Sequence, residues 1–592
     1  MRGLLCYNFF AEMTPLILFD QVSFQYPSRQ GPAIPALKNV SLSVEPGEFV
    51  AVIGANGSGK STFARLAAAL LLPTQGAVRV AGLDTRETKN HPRIHETLGM
   101  VFQYPEDQIV STTVEEDIAF GPENMALPPE VIRARVDGAL RETGLWDLRH
   151  RPPHQLSAGQ TQRLALAGIL AMRPGCILFD EASTMLDPAG RRWLMQSMQR
   201  LHGEGITIIT VTHFMDEAAA AARVIVFDHG QIVMDGAPEQ IFADPARLAA
   251  LRLDLPPAGR VAAALRYAIP DLPRNLLTTP QLMAALPDYT GTAQLPEDLV
   301  LPAEAEPPRL IEVSGLGYTY MKDTPVAQRA LSDVELHVDD GRAYGLLGMT
   351  GSGKTTLMQH LNGLLHPQEG RVRVNGFDLS SPGIDRRQVV RSVGLVFQNP
   401  ETQFFEYYVG DEIAYGPRQL QVTEPLRERV RWAMEQIGLD FVTYKDRPLF
   451  ALSGGEKRKV ALASTLALKP AILLLDEPTA GLDPSSRREL LNRLSTMRDA
   501  GMTLILSSHR MEDLSILTYG LTVMHQGRSV LSGSTLDVFS QEQVLQGYGL
   551  VPPLSVQVAA AMRKKNWPLP RNILTSDMLR RAAEQAVQRT TP

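Results

Sequence analysis

"GANGSGKS" occupies Gly54–Ser61 and "GMTGSGKT" occupies Gly348–Thr355. Each fits G-x-x-x-x-G-K-[ST], each follows an apolar run ("EFVAVI", Glu48–Ile53; "AYGLL", Ala343–Leu347), and each opens a helical stretch. That context predicts a phosphate-binding loop joining a strand to a helix. Glycines let consecutive backbone N–H groups turn inward around phosphate oxygens, and the helix start adds partial positive charge. The candidate cradle residues are Gly54, Asn56, Gly57, Ser58, Gly59 and Thr62, and in the second copy Gly348, Thr350, Gly351, Ser352, Gly353 and Thr356. Lys60 and Lys354 are placed to reach the β- and γ-phosphates, and Ser61 and Thr355 to hold Mg²⁺.

The repeat extends well beyond the loops. "VFQYPEDQ" (Val101–Gln108) returns as "VFQNPETQ" (Val396–Gln403), and "LSAGQTQRLALAGILAMRPGCILFDEAS" (Leu156–Ser183) returns as "LSGGEKRKVALASTLALKPAILLLDEPT" (Leu452–Thr479). A duplicated domain follows. "LPPAGRVAAALRYAIPDLPRNLLT" (Leu255–Thr278) matches "VPPLSVQVAAAMRKKNWPLPRNILT" (Val551–Thr575), so each copy owns a short helical tail. The segment rich in Pro and acids around Gln294–Arg309 reads as an extended linker. The expected organisation is an N-terminal tail (1–13), a first domain (14–240), its helical tail (241–293), a linker (294–308), a second domain (309–540) and its tail (541–592). Alternating strand and helix patterns make each domain α/β with a mainly parallel sheet.

With 592 residues, the chain exceeds a single core. A net charge of -6 exerts no global pull toward nucleic acid or anionic lipid. Only Cys6 and Cys176 are present, too few for a disulfide framework, and Cys176 lies in an apolar run as a buried, inert, cytosolic thiol would. No apolar run reaches the roughly 20 residues that span a bilayer, so a membrane role has to be borrowed from a partner. The opening "MRGLLCYNFFAEM" makes a poor signal peptide and reads as a frayed tail or as preceding a start at Met13.

Phosphoryl transfer needs more than a cradle. "CILFDE" (Cys176–Glu181) and "ILLLDE" (Ile472–Glu477) are apolar strands that end in two acids. Asp180 and Asp476 suit the Mg²⁺ shell, and Glu181 and Glu477 suit orientation and deprotonation of water. His213 and His509 end other apolar strands and are placed to contact a γ-phosphate.

With these motifs in register, the chain resembles the ATP-binding cassette family over nearly all of residues 14–240 and 309–540. The resemblance implies two P-loop nucleotide-binding domains, each with a β-rich lead-in, a mainly parallel core sheet and a helical subdomain. It implies that "LSAGQ" and "LSGGE" each open a helix facing the nucleotide held by the other domain, which makes the ATP sandwich intramolecular. Lys60, Ser61, Gln103, Asp180, Glu181 and His213 would be completed by Ser453 and Gly455; Lys354, Thr355, Gln398, Asp476, Glu477 and His509 would be completed by Ser157 and Gly159. Gln103 and Gln398 are implied as further Mg²⁺ and water contacts, Tyr26 and Tyr320 as platforms for adenine, and "TMLD" (Thr184–Asp187) and "AGLD" (Ala480–Asp483) as loops through which the sites sense each other. Ala158, Glu456 and Ala182 depart from the pattern, yet no lysine, Mg²⁺ ligand, base or histidine is lost, so two competent but unequal ATPase sites are expected.

The segments Phe102–Asn124 and Phe397–Gln419 look like those of energy-coupling factor transporter ATPases. That implies a peripheral protein on the cytoplasmic face of the cell membrane, a membrane-embedded coupling (T) protein, a substrate-binding (S) protein, and import of a vitamin or metal ion. Glu106, Asp107, Glu115, Glu116, Asp117, Glu401, Asp411 and Glu412 are candidates to receive arginines from the coupling protein, and the helical tails to hold the ATPase pair together. Two other classes share features with the chain: a soluble tandem-cassette factor acting on ribosomes, and the ATPase of another importer class. The Pro-rich connector argues against the first, and the intact Lys354 and Thr355 against a fused sugar-importer ATPase.

Overall fold

The computed structural model describes residues 15–27, 33–291, 308–324, 326–381 and 383–588. The expected N-terminal tail with Cys6 and Met13, and residues 294–307 of the expected linker, lie outside them. The chain divides into two compact units, one of Met1–Met185 with Arg192–Arg247 and one of Leu186–Arg191 with Leu248–Pro592.

In unit 1 a six-stranded sheet runs in the order Gln231–Gly236, Arg223–Asp228, Phe49–Gly54, Thr207–Val211, Cys176–Asp180, Leu98–Val101. Its pairs are parallel except the first. Every residue of Phe49–Gly54, Cys176–Asp180 and Thr207–Val211 is buried, as strands covered on both faces require. A four-stranded antiparallel sheet (Ile34–Val44, Ile17–Tyr26, Gln75–Val80, Leu83–Asp84) forms the lead-in. Its alternating burial leaves one face for the core, where Phe19 and Phe63 meet at 4.9 Å between ring centroids. The helices Val114–Asn124, Pro129–Glu142 and Ala158–Met172 build a separate core around Ile118, Leu140 and Leu164.

Unit 2 repeats this plan. Its six-stranded sheet runs Val393–Val396, Ile472–Asp476, Thr503–Ser508, Ala343–Leu347, Gly520–His525, Arg528–Ser534, and its lead-in sheet runs Gln328–Asp339, Arg309–Tyr320, Glu369–Val374, Phe377–Asp378. The expected helical insert is formed by Val409–Gln419, Leu426–Gln436 and Gly454–Leu466.

Unit 2 also holds both tail sequences, and they make one core. Val261, Leu265, Leu276 and Leu282 pack with Val558, Met562, Trp567, Leu569 and Leu579. Trp567 Nε1 donates to Pro287 O at 3.0 Å, and Tyr289 OH donates to Ala586 O at 3.0 Å. Packing of each tail onto its own repeat alone would have produced two such cores. Leu579→Ala removes a fully buried side chain, with an expected cost of about 2–5 kcal/mol. Amide exchange is then expected to rise together in Pro257–Leu265 and Ser576–Gln588; a rise confined to the second helix would show that the core is not shared.

Candidate functional site

In both units the loop between the central strand and the next helix closes on itself through its lysine. Lys60 Nζ donates to Gly54 O at 2.9 Å and Ala55 O at 3.0 Å, and Lys354 Nζ to Gly348 O at 2.7 Å and Met349 O at 3.0 Å. Both lysines are buried, and burial holds Lys354 below the usual lysine range. Gly59 and Gly353 precede the helices at φ 106° and 101°, in the left-handed region. A Cβ there would lie 2.7 Å from Leu37 Cδ2 or Leu331 Cδ2. Ser58 Oγ and Ser352 Oγ are buried with no hydrogen-bond partner among the described residues. A buried hydroxyl without a partner is costly unless a ligand satisfies it. An anion seated on the loop does so, and the cradle therefore fits the phosphates of ATP.

Beside each loop, a strand end delivers the acid pair. Ser61 Oγ donates to Asp180 Oδ1 at 3.1 Å, and Thr355 Oγ1 to Asp476 Oδ2 at 2.6 Å. A carboxylate next to a hydroxyl is an oxygen donor pair of the kind Mg²⁺ takes, with water and substrate phosphates completing its shell. No group of three His, Cys, Asp or Glu among the described residues forms a closed metal cage. Burial pushes Asp180 up to about 6, with the Glu181 charge adding to it. Asp476 is also raised, by burial first, although Ser507 Oγ is a second donor to it.

Glu181 and Glu477 turn sharply away from those strands, at φ 51° and 47°. Left-handed backbone costs a residue with a side chain about 1 kcal/mol or more. Glu181 N bonds Val211 O at 2.9 Å and Glu477 N bonds Ser507 Oγ at 2.9 Å, which holds the turn. His213 Nε2 lies 2.6 Å from Glu181 Oε1, and His509 Nδ1 lies 2.8 Å from Glu477 Oε2. Burial alone would raise these carboxyls; the facing histidines outweigh it, placing Glu181 below the ordinary range and Glu477 at about 2. Tyr26 OH sits 3.1 Å from Thr62 Oγ1 and Tyr320 OH 3.2 Å from Thr356 Oγ1, so each ring borders its own loop.

The family model described as ABC transporter matches residues 37–184 and 331–480. The chain belongs to the ABC transporter family. A protein of Methanosarcina acetivorans described as "Putative ABC transporter ATP-binding protein" is 34% identical over 96% of this chain and 94% of its own. A counterpart in Caldanaerobacter subterraneus with the same description is 33% identical over 93% of this chain and 96% of its own. An "Energy-coupling factor transporter ATP-binding protein EcfA1" of Symbiobacterium thermophilum is 50% identical over 46% of this chain and 96% of its own. The protein is thus an ABC ATPase with two ATP-binding domains.

Within this ABC protein the two sites differ in detail. Gln103 Nε2 donates to Glu181 Oε2 at 3.2 Å, whereas Gln398 makes no such bond to Glu477 among the described residues. Instead Arg458 ties the backbone, donating to Glu477 O at 2.7 Å and Gln398 O at 2.9 Å. Neither Arg458 nor Ser507 has a role legible in the sequence, although Arg458 lies within the repeat Leu452–Thr479; their one trace is that the first repeat has Gln162 and Val211 in the matching positions. Behind the sites, Ser183 Oγ donates to Glu217 Oε2 at 3.0 Å, and Thr479 Oγ1 to Asp513 Oδ2 at 2.5 Å. Ser157 and Ser453 cap the helices Ala158–Met172 and Gly454–Leu466, with Gly159 and Gly455 in the first turns. At Gly454, which matches Ala158, a Cβ would meet nothing within 4 Å, so the methyl of Ala158 brings no clash within its unit. Cys176 is buried, with its thiol pushed up to about 12 by burial.

The acids proposed for docking separate into two kinds. Asp117 Oδ1 accepts from Val110 N at 2.8 Å and Ser111 N at 3.1 Å, and Glu412 Oε2 accepts from Phe405 N at 2.8 Å and Glu406 N at 2.9 Å. These two carboxylates shape their own loops and do not reach outward. Glu116 completes the capping box with Thr113, and Glu401 pairs with Lys457. Glu106, Asp107 and Asp411 are exposed, Asp411 lying 3.7 Å from Arg418, and Glu115 is half-buried 3.5 Å from His150.

The unpartnered Ser58 hydroxyl leads to a test. Ser58→Ala should leave the nucleotide-free protein as stable or more stable by up to about 1 kcal/mol, while ATP affinity falls about three- to tenfold. Thermal melts and titration calorimetry read the two; a loss of stability with unchanged ATP affinity would mean the hydroxyl serves the fold and not the phosphate.

Proposed function

We propose that this protein is the ATPase of an energy-coupling factor type importer, powering uptake of a vitamin or metal ion through membrane partners. The 50% identity to an EcfA1 protein across 96% of its length carries the reading. The remaining support is chemical: each unit has a cradle, an acid pair and a histidine arranged for ATP cleavage.

In this reading, the loops Gly54–Ser61 and Gly348–Thr355 hold the phosphates, Tyr26 and Tyr320 stack on adenine, and Ser61, Asp180 and Gln103, or Thr355, Asp476 and Gln398, hold Mg²⁺. When bound, Mg²⁺ would supply positive charge to offset that of the phosphates. Glu181 and Glu477, ionised and fixed by their histidines, orient the attacking water and take its proton. The ring nitrogens that do not face the glutamates, His213 Nδ1 and His509 Nε2, are left to contact the γ-phosphate. Ser157 with Gly159, and Ser453 with Gly455, complete the site of the opposite repeat. ATP thereby favours a closed arrangement and hydrolysis releases it, which gives the membrane partners a stroke.

No helix among the described residues is long and apolar enough to cross a membrane. In this reading the transport path is supplied by partners, a coupling protein and a substrate-binding protein, with this ATPase peripheral on the cytoplasmic face. Outward acids such as Glu106 and Asp107 suit arginines of a coupling helix.

Glu181→Gln and Glu477→Gln, separately, are each expected to lower ATP turnover by about half or more, and together by about 100-fold. Full turnover in either single variant, measured by phosphate release, would make that site structural. Glu106→Lys is expected to prevent co-purification with the coupling protein while leaving ATP binding intact; an undisturbed complex would reject docking on this face.

A further inference from the structure

The two helix starts that bear the signature repeats differ in where one proton goes. In the first, Ser157 N donates to Gln160 Oε1 at 2.9 Å and Gln160 N donates to Ser157 Oγ at 3.3 Å. The Ser157 hydroxyl proton goes to no acceptor among the described residues. In the second, Ser453 Oγ donates to Glu456 Oε2 at 2.8 Å, and Ser453 N donates to the same oxygen at 2.8 Å. The other carboxylate oxygen accepts from Tyr444 OH at 2.8 Å, with Arg447 Nη1 at 4.0 Å. Leu148 stands where the second repeat has Tyr444, so this outer clamp exists once.

Capping alone does not need this arrangement. Gln160 closes the same reciprocal box without a charge. The carboxylate adds two things: it accepts a hydrogen bond from the serine hydroxyl, and it sets a negative charge against the partial positive charge of the helix start. Burial on its own would raise Glu456, but the hydrogen bonds from Ser453 and Tyr444 and the Arg447 charge outweigh it, so the group stays ionised at neutral pH.

We propose that Glu456, held in place by Tyr444, weakens the ATP site that Ser453 and Gly455 complete, so that the two sites of this protein load in a fixed order. This rests on the reading above in which each signature serine serves the opposite repeat. A γ-phosphate arriving at Ser453 has to displace Glu456 from the hydroxyl and sits beside its charge. One arriving at Ser157 meets a free hydroxyl and a neutral amide. The Lys354 site therefore closes at lower ATP, and the Lys60 site closes second.

The test uses full-length protein with Glu181→Gln and Glu477→Gln, in which hydrolysis is expected to be slowed about 100-fold, and 8-azido-ATP as the probe. After photolysis and digestion, half-maximal labelling is read separately for peptides of the first and second repeats. The parent is expected to label the second repeat at lower concentration. Adding Glu456→Gln, which keeps the capping box, should lower the half-labelling concentration of the first repeat about three- to tenfold and leave the second unmoved. Gln160→Glu should raise that of the second repeat. Ser453→Arg serves as a control for the shared-site reading and should abolish high-affinity labelling of the first repeat. If Ser453→Arg acts on the first repeat but Glu456→Gln does not, the inference fails and the shared site stands. If both act on the second repeat, the shared-site reading itself fails.

Discussion

Each ATP site depends on one constraint: a fully buried strand must end in two adjacent acids that point in different directions. In a strand, neighbouring side chains already face opposite ways, but here both are needed at the same end of the sheet, one beside the loop hydroxyl and one toward the histidine. The left-handed backbone of Glu181 and Glu477 solves this. It turns the second acid out of the strand while Asp180 and Asp476 stay bonded to Ser61 and Thr355. The strain is affordable because the strand is locked on both sides by parallel neighbours, Leu98–Val101 and Thr207–Val211 in unit 1. A looser edge strand would relax the turn and let the glutamate drift from the histidine it faces.

Strand order then brings the remaining groups to the same end. The central strand Phe49–Gly54 pairs with Thr207–Val211, which leads to His213, and that strand pairs with Cys176–Asp180, which leads to Glu181. Parallel strands all release their loops at one edge, where open α/β sheets place their ligands. The cradle, acids and histidine meet because the topology has no other place to deposit them. Burial in turn sets the charge: a carboxylate that would protonate in such a dry setting is kept ionised by the histidine it faces.

Much of this was legible in the sequence because it is carried by residue type and spacing. Lys60 could be read from the spacing of the Gly-rich loop, and Asp180, Glu181 and His213 from apolar runs ending in a polar residue, and the repeat supplied a second copy of each. What could not be read depends on three-dimensional neighbours. Nothing in "FDEAS" or "LDEPT" announces a positive φ, since glutamate is not a residue that favours it. Asp117 and Glu412 look like surface acids in the sequence, but each accepts with one oxygen from two backbone N–H groups of the preceding loop. The tails were visible as a repeat; that Val261 and Leu265 share one core with Val558 and Leu579 was not, because apolar periodicity specifies a buried face without naming what covers it.

The duplication also shows which positions were free to drift. The loop lysines, the acid pair and the histidines are the same in both repeats, whereas their supports have diverged: Val211 against Ser507, Gln162 against Arg458, Gln160 against Glu456. In the second repeat each of these side chains adds hydrogen bonds of its own: Ser507 with Glu477 N and Asp476, Arg458 with Glu477 O and Gln398 O, Glu456 with Ser453 and Tyr444. A single charge-assisted hydrogen bond is worth about 1.5–3 kcal/mol, so exchanging one such support is a smaller change than losing a loop lysine, an acid or a histidine. Two joined copies of one ATPase can therefore keep identical chemistry and still acquire distinct roles, because the supporting positions tolerate substitutions that the reacting groups do not.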